Sequence, residues 1–278
     1  SCLVGSEMCI RDSHRHGSVD LPGSVAQSCN SYYSYVFKTI VDQKKFHSTT
    51  EGFQHWSRMV QSFGPGTHLG TDLPYDKPGN VPSIAYYDKI FGKNSWRANT
   101  VVSLGIGQAE LLLVPLQMAN IICIIANRGF YYTPHAVKGI GEPNKIDPRF
   151  KQKHWAGVTD TNFYNIVIDG MQQCFERGTA AAEKIEGITA CGKTGTAENP
   201  HGKDHSVFVG FAPRDHPKIA FACLVENGGW GGTMAAPIVS LMMERYLKGQ
   251  VARTDKEKRI AETQIRVPVK SVKRKRNA

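Results

Sequence analysis

The 278 residues carry 41% apolar and 21% charged side chains, an ordinary globular mixture long enough to bury one large core or two small ones. The longest apolar runs, Leu111–Leu116 and Ile121–Ala126, are too short to cross a bilayer, and no secretory leader is visible. The formal charge of +10 is not a nucleic-acid signature: residues 249–278 hold ten Lys/Arg against three acids, and no aromatic side chain interleaves with them.

Taken in order, residues 1–13 show neither period nor cap and read as a leader foreign to the rest. His14 and His16 form an H-x-H with no third metal ligand nearby, so a loop is expected there. Asp20-Leu21-Pro22-Gly23 predicts a turn, and Ser24 opens a helix to about Val41 with Val25, Cys29, Tyr32, Tyr33, Val36 and Phe37 on one face. Ser28 and Asn30 stand near its start, where a hydroxyl and an amide can reach into a cleft or simply cap the helix. A second helix spans about Thr50–Phe63 and is closed by Gly64-Pro65-Gly66. Residues 67–100, rich in Gly, Pro, Asp and Asn, predict a long irregular connection of the kind that often carries function.

Pro115 and Gly129 bracket the next helix, at about Val114–Asn127. A short strand and loop follow over 130–157. Thr159 and Asp160 are cap candidates for a helix at 161–176, whose predicted buried stripe is Phe163, Ile166, Val167, Gly170, Met171 and Cys174. A short helix is expected at 179–184. The run 188–199, the run Ser206–Phe211 and the run Pro217–Glu226 then predict an antiparallel meander. A last helix starts at Pro237 with Ile238, Leu241, Met242 and Tyr246 inward and stops at Gly249. The basic residues 250–278 predict a solvated, disordered tail.

Seven cysteines, none in a C-x-x-C pair, support neither a zinc site nor a disulfide framework. Cys123, Cys174, Cys191 and Cys223 sit in apolar patterns and read as core residues. His201 and His205 with Asp204 have metal-like spacing, but Pro200 and Gly202 favour a hairpin turn. No metal or cofactor is expected.

The chain's chemistry concentrates in Cys191-Gly192-Lys193-Thr194-Gly195-Thr196. On an edge strand these residues suit an extended peptide: free backbone groups pair with it, Gly195 admits a second backbone, and Lys193, Thr194 and Thr196 can hold a carboxylate. The same residues fit a rival pattern, because Gly187 to Thr194 match G-x-x-x-x-G-K-[ST], the phosphate-binding loop of nucleotide hydrolases. That loop requires a helix directly after the lysine and threonine, whereas a strand there excludes it.

Ser28-Cys29-Asn30 followed by Lys193-Thr194-Gly195 resembles the second and third motifs of the penicillin-recognising serine acyltransferases. SCNSYY, FGPGTHLGTDLP, VSLGIGQ, LLVPLQMANIICIIANRG, CGKTGTAEN, HSVFVGFAP and AAPIVSLMMERYL extend the resemblance from about His14 to Gly249. They resemble class B penicillin-binding proteins, above all the elongation-type penicillin-binding protein 2 group. The resemblance implies an α+β fold: a five-stranded antiparallel sheet flanked by helices and incomplete at its N-terminal side. It also implies a transpeptidase domain over 14–249, and D,D-transpeptidation of D-Ala-D-Ala stem peptides at a serine that β-lactams acylate. By position, Ser28 would shuttle protons, Asn30 would bind the substrate amide, and Lys193 would supply charge. Thr194 and Thr196 would hold the terminal carboxylate beside Gly195, and the Thr196 N–H would face the oxyanion. Implied partners are peptidoglycan stem peptides, β-lactams, an elongation glycosyltransferase and a cell-shape complex at the periplasmic side of the membrane, reached through an N-terminal anchor, with no nucleic acid. The sequence departs from the pattern in one respect. No serine is followed by lysine three positions on, and the nearest case is Ser271 with Arg274. The resemblance therefore implies the C-terminal part of such a domain without its S-x-x-K nucleophile, inactive alone. A non-catalytic binding protein on the same fold is the other alternative.

Overall fold

The computed structural model describes residues 17–141 and 145–265. The expected leader, the His14/His16 pair and the stretch 266–278 lie outside the described residues. The N-terminal third is helical: α1 (Leu21–Gln27), α2 (Asn30–Val41), α3 (Thr49–Gln61) and α4 (Ile84–Phe91). A 3-10 segment, Ala98–Ile106, leads to α5 (Pro115–Ala126). Then come β1 (Phe130–Tyr132), β2 (Lys153–Trp155) and α6 (Thr161–Glu176). The chain ends with β3 (Cys191–Ala197), β4 (His205–Ala212), β5 (Ile219–Val225), α7 (Ala235–Lys248) and α8 (Thr254–Glu262).

β3, β4 and β5 form an antiparallel meander in that order, with Lys193 opposite Val209 and Thr194 opposite Phe208. Period-2 alternation gives each strand two working faces. Phe208 and Ala212 point to α7, where they pack with Ala235, Ala236, Val239 and Met243. Cys191 and Phe211 point the other way, onto Ile122, Ile124, Ile168 and Met171 of α5 and α6. The sheet is thus the middle of three layers. A third core lies among α2, α3, α4 and the 3-10 segment, where Phe53 is ringed by Trp56, Tyr87 and Trp96.

Several expectations are corrected. The α+β fold is as expected, the described residues supplying three antiparallel strands of the main sheet with β1–β2 as a separate ladder; the corrections are local. The predicted helix from Ser24 to Val41 is two helices, because Ser28 takes a left-handed backbone (φ 58°). The Ser28 N–H then donates to the Val25 carbonyl and the Cys29 N–H to the Ser24 carbonyl, a double closure that ends α1. The irregular 67–100 connection contains α4, which Ser83 caps. The rest of that connection is pinned by the buried Gln117 amide, which donates to the carbonyls of Gly64, Thr67 and Pro78. On α6 the buried stripe is Tyr164, Ile168, Met171, Cys174 and Phe175, while Phe163 and Ile166 are exposed. On α7, Val239 and Met243 face in, and Met242 and Tyr246 face out. Both helices hold two overlapping apolar stripes, and contact with the sheet selects one.

The tail expectation is also corrected over its described part. Arg253 donates from Nε to the Glu244 carboxylate at 2.8 Å and from NH2 to the Ser240 carbonyl at 2.9 Å. Lys256 reaches the Glu183 carboxylate at 2.7 Å. Glu183 and Glu244 are both buried, so these two cations of the α8 segment neutralise carboxylates that α7 and the 181–183 turn could not otherwise keep out of water. Composition alone could not show this, because the matching acids lie before residue 249.

Replacing Arg253 by Met should lower the unfolding free energy by about 3 kcal/mol in urea titrations, since the buried Glu244 loses its hydrogen-bonded cation and keeps only Lys248 at 3.8 Å. At Ser28, a glycine variant should be more stable than an alanine variant by about 1 kcal/mol, because both lose the hydroxyl and only glycine accepts the left-handed backbone without strain.

Candidate functional site

Position 28 is fixed from below by helix packing. A Cβ on Gly170 of α6 would lie 2.7 Å from Val25 Cβ and 2.8 Å from the Pro22 carbonyl, so α1 rests directly on the α6 backbone there. The Ala26 carbonyl accepts from the Thr179 N–H at 3.1 Å and ties α1 to the turn that follows α6. Ser28, at the end of this seated helix, therefore stands over β3.

Lys193 rises from β3 to meet it. Its Nζ donates to Ser28 Oγ at 2.6 Å and to the Thr194 carbonyl at 2.5 Å. A third N–H has no protein partner among the described residues. Desolvation pushes the Lys193 ammonium down to about 8, with the neighbouring Cys174 thiol as a smaller opposing influence. Lys193 does not stand free on its strand. It is half-buried instead, because α1 and α6 cover it. Asn30 is half-buried in the first turn of α2, two residues beyond Ser28.

Thr194 and Thr196 leave the strand on the face opposite Lys193. Thr194 Oγ1 is buried and 2.6 Å from Thr179 Oγ1, which in turn lies 3.3 Å from Cys174 Sγ. Thr196 Oγ1 accepts the Gly231 N–H at 3.2 Å. Each hydroxyl has one donor hydrogen: Thr196 retains its O–H for an incoming anion, and Thr194 retains its own when Cys174 donates to Thr179 and Thr179 to Thr194. Gly195 does sit under a second backbone, and that backbone is Gly231: a Cβ there would lie 2.3 Å from the Gly195 carbonyl. Thr179 was not singled out from the sequence. It belongs to no motif, and only its place in the turn before the motif strand hinted at it.

The outer edge of β3 pairs with no strand among the described residues, so its backbone is open to an extended ligand. The phosphate-loop alternative is overturned, since residues 191–197 are strand and no helix begins at Thr194. His205 Nδ1 accepts the Asn227 N–H in the hairpin. Among the described residues no three His, Cys, Asp or Glu side chains converge as metal ligands.

Comparison with known proteins places this geometry. The Escherichia coli K12 peptidoglycan D,D-transpeptidase MrdA is 28% identical over 267 residues, 88% of this chain and 39% of that protein. The crystal structure of Pseudomonas aeruginosa PBP2 in complex with WCK 5153 is similar with a TM-score of 0.72 at 30% identity, covering 88% of this chain and 52% of that one. PBP2 of Helicobacter pylori, solved in complex with MreC, gives a TM-score of 0.68 at 26% identity over 84% of this chain and 41% of that one. The chain spans about two fifths of the length of the curated relative it matches. Residues 6–244 match the family described as penicillin binding protein transpeptidase domain, and the chain belongs to that family.

Proposed function

We propose that this chain is the substrate-holding part of a peptidoglycan D,D-transpeptidase of cell-wall elongation. The observation that carries the reading is the 2.6 Å contact between Lys193 Nζ and Ser28 Oγ, made across 165 positions of sequence beside an open strand edge. A D-Ala-D-Ala peptide lies along that edge as an added strand. Its terminal carboxylate takes the Thr194 and Thr196 hydroxyls, and its amide takes Asn30. In the reaction a serine attacks the penultimate D-Ala carbonyl, the Thr196 N–H meets the developing oxyanion, and the terminal D-Ala departs with a proton delivered through Ser28 Oγ. An amine from a neighbouring stem then accepts the acyl group. Lys193 orients Ser28 and favours the anionic ligand while it is protonated.

The attacking serine belongs to an S-x-x-K that these 278 residues do not contain, so they bind and do not attack. Peptidoglycan stem peptides and β-lactams are the ligands in this reading. An elongation glycosyltransferase and a cell-shape complex at the periplasmic face of the membrane are the partners. The H. pylori relative solved with MreC supports the cell-shape assignment. Among the described residues no helix is long and apolar enough to cross a membrane.

Two measurements test the proposal. A fluorescent penicillin should leave no covalent adduct on this chain, while the full gene product carrying an upstream S-x-x-K is labelled. A full product that also lacks the motif and stays unlabelled would make this a non-catalytic member of the family. A D-Ala-D-Ala pentapeptide should bind this chain non-covalently, and Lys193→Met should weaken it by about tenfold or more. Because Lys193 is the charged partner and its pKa is lowered to about 8, wild-type affinity should fall as pH rises through about 8. The Met variant should show no such fall.

A further inference from the structure

At the hairpin end of the sheet lies a cavity of about 910 Å³, away from the Ser28–Lys193 contact. Its walls are the β3–β4 turn, the β5–α7 loop and the segment after α8, represented by Asp204, Asn227, Trp230, Thr233, Gln264 and Ile265. Trp230 is 66% exposed, an unusual cost for the largest apolar side chain unless something covers it. The indole N–H, the Thr233 hydroxyl and the Gln264 amide have no protein partner among the described residues. Asn227 is buried and accepts from Asn199 through its Oδ1, and its amide N–H groups have no protein partner among the described residues. Asp204 accepts the Asn199 N–H with one carboxylate oxygen, and the other has no protein partner among the described residues. The charges of Lys203 and Asp204 balance, so the cavity selects for a neutral ligand rather than a phosphate.

We propose that this cavity is a saccharide subsite that holds an N-acetylated amino sugar of the glycan chain bearing the stem peptide. The inference rests on the peptide reading above. A flat indole offers the apolar C–H face of a pyranose a stacking surface, and the surrounding amides, hydroxyl and carboxylate suit its hydroxyl and acetamido groups. Direction and length both fit. The N-terminal end of β3 is closed, with Cys191 fully buried and Gly192 under the Phe175 and Phe208 rings. A peptide whose carboxylate sits at Thr194 and Thr196 can therefore continue only toward Ala197 and the hairpin. Thr194 to Ala197 is three strand steps, about 10 Å. Ala197 pairs with His205, the neighbour of Asp204 on the cavity wall. An extended five-residue stem spans about 17 Å, which carries its sugar past Ala197 to the hairpin and Trp230.

The test is a fluorescence titration of this chain with three probes: the N-acetylglucosaminyl-N-acetylmuramic acid disaccharide, the pentapeptide ending in D-Ala-D-Ala, and the disaccharide-pentapeptide. The conjugate should bind at least about tenfold more tightly than the free peptide, and Trp230→Ala should abolish that gain while leaving free-peptide affinity unchanged. Trp230 is exposed, so the variant should fold as the wild type does. Equal affinity for peptide and conjugate, or equal loss for both in the variant, would overturn the subsite. Failure of the peptide reading shows differently, as a free peptide that does not bind or is indifferent to Lys193→Met. In that case, quenching by the disaccharide alone that vanishes in Trp230→Phe still supports the saccharide site, and its absence overturns it.

Discussion

The site depends on one contact made at the expense of hydration. Lys193 gives up water to reach Ser28 Oγ and the Thr194 carbonyl, and desolvation lowers its pKa to about 8. An ammonium held this way is a poor surface charge and a good reporter of what lies next to it. It donates a hydrogen bond to the serine hydroxyl, and an anion entering the site favours the charged form. Such a lysine persists only if the elements around it are rigid enough to keep water out.

That rigidity comes from two directions. From below, α1 sits on the α6 backbone at Gly170 and is hydrogen-bonded to the turn carrying Thr179, so the left-handed Ser28 has one place to go. From behind, the turn at 181–183 is held by Lys256 and Arg253 through Glu183, and Arg253 also ties α7 through Glu244. Thr179 lies between these two supports, with Thr194 on its hydroxyl. The α8 segment thus braces the 181–183 turn, which begins two residues beyond Thr179.

Much of this was legible in the sequence, and the reasons differ by element. The meander, α3, α5 and α6 announced themselves through period, caps and breakers: Asp160 before α6, Pro115 opening α5, Gly249 ending α7. The pairing of Ser28 with Lys193 was not legible from spacing, since nothing local relates residues 165 positions apart; resemblance to known motifs supplied it. Three things were hidden for physical reasons. The break at Ser28 is a backbone conformation that serine rarely adopts, so no propensity marks it. The inward faces of α6 and α7 were decided by the sheet, not by the helices. The ordered α8 segment owes its place to two acids that precede residue 249, Glu183 and Glu244, and charge counted within residues 249–278 concealed that.

The sharpest separation of readings falls on eight residues, Gly187 to Thr194, which suit a phosphate loop by pattern and a strand by context. A phosphate loop uses glycine so that backbone N–H groups can turn toward an anion. Here Gly192 is glycine for a different reason: a Cβ would lie 2.4 Å from the Phe208 ring and 2.9 Å from Phe175, so the position is filled by aromatic packing from the next strand and from α6. Once Gly192 pairs with Gly210, Lys193 must pair with Val209 and Thr194 with Phe208, and the ladder engages the backbone that a phosphate would need. The lysine is then turned to the opposite face from the threonine, toward Ser28. The same side chains that would grip a nucleotide when a helix follows become, in a strand, one cation over a serine and a row of hydroxyls along an edge.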